Sequence, residues 1–207
     1  MTAEEFKRRL TAIFSADVEG YSRLMQDDEL DTVRTLTAYR AAMANIIQQY
    51  RGRLVDSPGD NLLAEFASVV EAVNCAVEVQ REIVERNAEV PDERKMRFRI
   101  GVNLGDVIEE GKRIYGDGVN IAARVESLAE ADGICISGTV YDSIQNKIGL
   151  ECEYLGEKRL KNIANPARIY RVLAYPDAAT HREVKAKTAG ERTWYRIALS
   201  IVGLLLC

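Results

Sequence analysis

Two aspartates in this chain stand where a divalent cation can be held. Asp17 closes the apolar run LTAIFSA and precedes Val-Glu-Gly-Tyr-Ser, and Asp60 follows Gly59 in a Ser-Pro-Gly-Asp turn. Mg²⁺ suits carboxylates at the tips of neighbouring strands, because it binds through one or two carboxylates plus substrate phosphates. The turn after Asp17 also offers backbone N–H groups at a helix start, where phosphates bind well. Aspartates at strand ends serve equally as turn and cap residues, so this pair alone leaves both readings open. A second set lies in IYGDGVNIAARVE. Asn120 and Arg124 are spaced i, i+4 and share one helix face. An amide suits a sugar hydroxyl and a guanidinium suits a phosphate. The plain alternative is a solvated helix whose small residues, Ala122 and Ala123, pack inward.

Composition limits what else the chain can do. It has 207 residues, 47% of them hydrophobic, which fits one folded domain with a short appendage. Its 28 Lys and Arg against 32 Asp and Glu give a net charge of −4, which argues against broad nucleic-acid binding. A single histidine, His181, argues against His-rich zinc sites and a Ser–His–Asp triad. Cys75, Cys135, Cys152 and Cys207 include no CxxC pair, so a metal knuckle or dithiol redox site is not expected. The N-terminal MTAEEFKRRL is followed by no apolar signal-peptide core, and the body is expected to be cytoplasmic with reduced thiols.

Elements that would position these residues follow from periodicity. The run 10–16 reads as a buried strand, broken at Gly20 and followed by a helical stretch over 21–25. Residues 31–50 read as a longer helix with Val33, Leu36, Tyr39, Met43, Ile46 and Ile47 near a 3.6 period, ended by Gly52. Apolar runs at 54–55 and 62–66 flank the Ser-Pro-Gly-Asp turn as a hairpin. Ser68 caps a helix that puts Val69, Val73, Ala76 and Ile83 on one face. A strand over 98–104 is expected to pair through Gly105 with 106–109, and a helix over 118–128 precedes a buried strand at 133–137. Two more strands are expected over 151–161 and 169–174. The order β-α-α-β-β-α-β-β-α-β-α-β-β predicts an α+β domain with helices on a mostly antiparallel sheet.

Taken together and in order, FSADVEGYS, PGDNLLAEF and YGDGVNIAARVE resemble the class III nucleotidyl cyclase catalytic domain over about residues 8–175. GDVIEEG, IYGDGVNIAARVE and LGEKRLKNI bring the chain nearest to the bacterial branch of that family. The resemblance implies the ferredoxin-like cyclase fold and a two-metal phosphoryl transfer that makes a 3′,5′-cyclic nucleotide from a nucleoside triphosphate. On that basis Asp17 and Asp60 would hold two Mg²⁺ or Mn²⁺ ions, and the backbone of Val18, Glu19, Gly20 and Tyr21 would wrap the phosphates. Asn120 would orient the ribose, Arg124 would stabilise charge at the α-phosphate, and Lys161 would bind phosphate. The family draws its metal aspartates and its Asn/Arg pair from opposite partners. This chain carries both, so the resemblance implies a homodimer with two equivalent shared sites.

One departure bears on the base. Relatives that use ATP carry Lys four residues before the second metal aspartate and Asp seven residues before the ribose asparagine. Here those positions are Asp56 and Arg113. A carboxylate has no proton for adenine N1, and a guanidinium cannot accept from the adenine amino group. Guanine and uracil present a carbonyl beside a ring N–H, which Arg113 and Asp56 can meet. The expectation is a keto base, UTP or GTP. UTP is favoured by resemblance to bacterial pyrimidine cyclases of antiphage signalling. Adenylate cyclase activity, or a non-catalytic dimerisation or nucleotide-binding module, are the alternatives.

Past residue 175 the character changes. Residues 176–196 form a basic linker, and IALSIVGLLLC at 197–207 carries no charge, with Trp194 and Tyr195 in front of it. Basic residues and aromatics before an apolar run match the cytoplasmic flank of a transmembrane helix, though eleven residues do not span a bilayer. The other reading is a packed C-terminal helix.

Overall fold

The computed structural model describes residues 7–163 and 165–173. One mixed sheet runs through them. Its strands are β1 (Lys7–Val18), β2 (Arg53–Asp56), β3 (Leu62–Phe66), β4 (Phe98–Glu110), β5 (Arg113–Tyr115), β6 (Ile134–Ser137), β7 (Cys152–Lys158) and β8 (Ala167–Val172). They lie in the order β2-β3-β1-β4-β6-β8-β7, with β5 paired to β4. All neighbours are antiparallel except β4 and β6. The helices are α1 (Tyr21–Asp27), α2 (Glu29–Gln49), α3 (Val69–Arg86), α4 (Asp117–Glu126) and α5 (Gly138–Ile144). This is the expected α+β order and a mostly antiparallel sheet.

Alternation along β1 divides the sheet into two faces. Phe14 on β1, Phe66 on β3 and Phe98 on β4 are fully buried, and Tyr39 of α2 meets the Phe98 ring at 6.3 Å. Burying each such ring contributes about 1.5–3 kcal/mol. Gln80 of α3 donates to the carbonyls of Phe98 and Gly133, pinning that helix to the same face. Side chains of opposite parity, such as Ile13 and Val107, pack instead with Ile114 and Ala122 of α4.

Helix α4 lies almost against the sheet backbone. A Cβ at Gly101 would stand 2.3 Å from the amide nitrogen of Glu126 and 2.5 Å from the carbonyl oxygen of Ala122. Only glycine leaves room for that approach. Between Gly101 and Gly105, Asn103 donates to the carbonyl of Gly118 at 3.0 Å and fixes the start of the helix.

Three expectations need correction. Residues 106–109 do not turn back at Gly105; they continue β4 to Glu110, and the hairpin closes at Gly111 and Lys112 with β5 as partner. The reason lies in β1, whose partner register with β4 runs unbroken from Lys7↔Glu109 to Val18↔Phe98 and holds the whole strand straight through the glycine. Val33 is 45% exposed, because the buried stripe of α2 runs through Thr32, Leu36, Tyr39, Met43, Ile46 and Ile47. Val69 is only half buried, although Val73, Ala76 and Ile83 of the same helix are fully enclosed. Among the described residues no helix is long and apolar enough to cross a membrane. The basic linker and the apolar stretch at 197–207 lie outside the described residues.

Candidate active site

Strand register carries the two aspartates to one place. Ala16 pairs with Leu62, so Asp17 leaves β1 at the end where Asp60 leads into β3. Asp17 pairs in register with Arg99 of β4. The Arg99 guanidinium donates twice to its carboxylate, Nε to Oδ1 at 3.0 Å and Nη2 to Oδ2 at 2.6 Å. The Asp17 hydrogen bonds raise the Arg99 pKa further above its ordinary value. A carboxylate has about four lone-pair sites, so this fork leaves acceptor capacity on Asp17.

The chain turns immediately after Asp17. Glu19 donates its amide to the carbonyl of Arg97, and Gly20 takes φ 69° at the entry to α1, a left-handed conformation that glycine adopts without strain. Val18 is buried, Glu19 and Gly20 are exposed, and Tyr21 is half buried. Asp60 sits in the β2–β3 turn. Arg40 of α2 reaches that turn and donates to the carbonyls of Gly59 and Asn61, one on each side of Asp60. Sequence reading missed both Arg99 and Arg40. Arg99 was visible only through its register with Asp17, and Arg40 sits 20 positions from the aspartate whose turn it holds.

On α4, Val119, Ala122 and Val125 pack inward, which leaves Asn120 and Arg124 exposed together on the outer face. Among the described residues no carboxylate pairs with Arg124, and no hydrogen bond or ion pair joins Asn120 or Arg124 to Asp17 or Asp60. Lys161 is exposed in the turn after β7. Its neighbours Asn162 and Ile163, with Asp117 and Ile121 of α4, line one cleft of about 630 Å³. Another cleft of about 580 Å³, between α2 and residues 86–94, contains none of the candidate residues.

The structure brings Asp56 and Arg113 together. Asp56 ends β2 after a bulge at Val55, Arg113 begins β5, and Arg113 Nε lies 3.9 Å from Asp56 Oδ2. Both side chains are substantially open, 42% and 66% exposed. Arg53, three residues before Asp56, braces this corner. It donates to Glu65 at 2.6 Å, to Glu109 at 3.1 Å and to the carbonyl of Lys112 at 2.9 Å, tying β2 to the turn that presents Arg113. Arg9 completes the cluster on Glu65 and Glu109.

Beneath the aspartates lies a carboxyl that the sequence reading passed over. Glu126, the last residue of α4, is 4% exposed. Its Oε2 accepts from Ser15 Oγ at 2.6 Å and from Asn61 Nδ2 at 3.3 Å. Burial, with the nearby Asp17 charge, pushes its pKa up to about 7 against the opposing hydrogen bond from Ser15.

Among the described residues no cluster of three or more His, Cys, Asp or Glu side chains could hold a metal. The site therefore offers two hard oxygen donors, Asp17 and Asp60. That set fits Mg²⁺ or Mn²⁺, which complete their coordination with water and substrate phosphates, and does not fit a structural zinc.

Residues 3–174 match the family described as the adenylate and guanylate cyclase catalytic domain. The chain is 38% identical over 171 residues to the Rhizobium meliloti protein named "Putative adenylate cyclase 3", covering 82% of this chain and 29% of that protein. It is 30% identical over 136 residues to an adenylate cyclase of Streptomyces coelicolor, covering 64% of this chain and 34% of that one. It thus spans about a third or less of these curated relatives. Among solved structures, the adenylate/guanylate cyclase/hydrolase from Silicibacter pomeroyi superposes with a TM-score of 0.77 at 37% identity, covering 84% of this chain and all of that chain.

Proposed function

The chain belongs to the adenylate and guanylate cyclase catalytic-domain family, and from that premise we propose that it cyclises a nucleoside triphosphate with a keto base, UTP or GTP, in a symmetric homodimer. The family as a whole depends on divalent metals and works as dimers. The ribose 3′-oxygen attacks the α-phosphorus, the bond to the β-phosphate oxygen breaks, and pyrophosphate leaves as the 3′-hydroxyl proton is lost. Two divalent cations bound by Asp17 and Asp60 would lower the pKa of that hydroxyl and neutralise the triphosphate. The turn Val18–Tyr21 would wrap the phosphates, its Glu19 amide anchored on the Arg97 carbonyl. Arg99, beside Asp17, supplies a fixed cation for the phosphate chain, and Lys161 supplies a second from the partner's loop. Asn120 orients the ribose, and Arg124 meets the charge that grows on the α-phosphate in the transition state.

The observation that carries this reading is the convergence of Asp17 and Asp60 at one end of the neighbouring strands β1 and β3 while Asn120 and Arg124 stay exposed on α4. A half-site of each kind on every protomer is what a shared, two-fold site requires. The base assignment is supported by Asp56 and Arg113 standing 3.9 Å apart, close enough to meet neighbouring groups of one base. Resemblance to bacterial pyrimidine cyclases favours UTP, with cyclic-nucleotide signalling, antiphage signalling included, as its setting. The names of the curated relatives favour ATP instead, and the hydrogen-bond inventory of Asp56 and Arg113 opposes it. The domain is proposed to act in the cytoplasm, tethered through the apolar residues 197–207. Incubating the purified full chain with Mn²⁺ and each of ATP, GTP, CTP and UTP, with products read by mass spectrometry, tests the reading. A cyclic product from UTP or GTP ahead of ATP is expected; a preference for ATP overturns the base assignment, and no cyclic product from any of the four overturns the cyclase assignment.

A further inference from the structure

The structure assigns to Glu126 the role of a positioning residue that locks the metal half-site and the α4 half-site of one protomer together. Three contacts carry the inference. Ser15 lies two residues before Asp17 on β1, and its hydroxyl donates to Glu126 at 2.6 Å. Asn61 directly follows Asp60, and its amide donates to the same oxygen at 3.3 Å while standing 3.5 Å from Ser15 Oγ. Glu126 itself lies two residues after Arg124 and six after Asn120. One buried carboxyl oxygen therefore joins the strand that carries Asp17 near its end, the turn that presents Asp60 and the helix that presents Asn120 and Arg124. A buried acceptor fixes geometry well, because losing it leaves the enclosed Ser15 hydroxyl without its acceptor and leaves the half-buried Asn61 amide only its long contact to Ser15.

The consequence rests on the shared-site reading above. In a two-fold dimer, the metal aspartates of one protomer serve one site and its Asn120 and Arg124 serve the other. Glu126 then stands between two half-sites that belong to different active sites, and a shift at one is passed to the other through a rigid contact. It touches no substrate in this scheme and acts through Ser15, Asn61, its own helix and the adjoining Asp17 carboxyl.

The test uses the full chain with Mn²⁺ alone, free Mn²⁺ being read by electron paramagnetic resonance, and turnover is measured separately. Glu126→Ala is expected to weaken Mn²⁺ binding by about 10- to 100-fold, the range for residues that orient metal ligands. Glu126→Gln keeps an acceptor oxygen for Ser15 and should recover part of that loss. Binding within about threefold of wild type in folded Glu126→Ala overturns the proposal, and so does a Gln variant no better than Ala, since charge rather than position would then be at stake. Where Glu126→Ala does not fold, Ser15→Ala combined with Asn61→Ala removes both donors and must show the same weakening. Coupling is read in heterodimers of an Asp17→Ala chain with an Arg124→Ala chain, which hold one complete site. Glu126→Ala placed on the Arg124→Ala chain should raise the Mn²⁺ requirement; placed on the Asp17→Ala chain it should lower kcat at an unchanged Mn²⁺ requirement. Identical losses in both placements overturn the coupling. If the parent heterodimer is silent while wild type turns over, the shared-site reading has failed, and the Mn²⁺ titration still decides the role of Glu126.

Discussion

Arg99 occupies both oxygens of Asp17, so the carboxylate that this reading gives to a metal already has a fixed cationic neighbour. A guanidinium and a metal ion sharing one carboxylate repel unless further negative charge joins them, and a triphosphate is a group that would. Asp17→Ala and Asp60→Ala should each abolish cyclic-nucleotide formation; thermal unfolding should stay close to wild type for Asp60→Ala, which lies in a turn outside the apolar core, and fall modestly for Asp17→Ala, which strips Arg99 of its carboxylate partner. Near-normal turnover in either variant would remove the two-metal assignment. Glu126 gives a second residue-level expectation. Burial raises its carboxyl from 4.5 to about 7. The folded chain therefore holds a proton there that the unfolded chain gives up, and stability present below about pH 4.5 is lost as pH rises through about 7. Urea unfolding with metals chelated should show this decline, and Glu126→Gln should flatten it across the same window. For the base, Asp56→Lys with Arg113→Asp should move preference from a keto base toward ATP. Each single change leaves like charges facing one base edge and should be worse than either pair. Losing one matched contact costs roughly 1–3 kcal/mol, about 5- to 150-fold in discrimination measured as kcat/KM ratios.

At the scale of elements, the sequence disclosed which segments were strands and helices far better than how they met. Apolar periodicity marked α2 and α3, and the Ser-Pro-Gly-Asp turn marked the β2–β3 hairpin, because those signals are local. The length of β4 was not local information. Gly105 looks like a turn residue in one dimension, and only pairing with all of β1 shows that it stands opposite Thr11 in an unbroken ladder. The candidate site divides in the same way. Asp17, Asp60, Asn120 and Arg124 were legible as motif residues, whereas Arg99, Arg40 and Glu126 act through partners 82, up to 21 and up to 111 positions away. A buried glutamate ending a helix carries no motif of its own. The glycine pattern of β4 supports a prediction at this scale. Gly101→Val would force a branched side chain into the backbone of α4 at Ala122 and Glu126. Overpacking of this kind costs about 1–3 kcal/mol or more. Thermal unfolding should shift down, and activity should fall further than stability alone explains, since α4 carries Asn120 and Arg124. An unchanged melting temperature would mean that α4 can lift from the sheet freely, and the close packing would lose its role in placing the site.

For the whole molecule, the decisive question is whether one protomer can complete a site. Within the described residues, no hydrogen bond or ion pair joins Asn120 or Arg124 to Asp17 or Asp60, and both side chains are exposed on the outer face of α4. A single protomer with this arrangement has two halves that point to different places. In the proposed dimer a second copy related by a two-fold axis would supply each half with its complement, and each residue change would then break one site per altered chain. Asp17→Ala protein and Arg124→Ala protein should each be inactive, since every site in either homodimer lacks an essential group. Mixed in equal amounts under conditions that exchange subunits, they should form heterodimers as about half of all dimers, with one of two sites intact in each, so that activity returns to about one quarter of wild type. In that intact site Asp17 and Asp60 come from the Arg124→Ala chain, and Asn120 and Arg124 from the Asp17→Ala chain. The recovered activity should rise and fall with the heterodimer fraction measured by native mass spectrometry. Heterodimers that form and stay inactive would confine the complete site to one protomer, and the proposed division of labour between the β1–β3 strand ends and α4 would have to be abandoned.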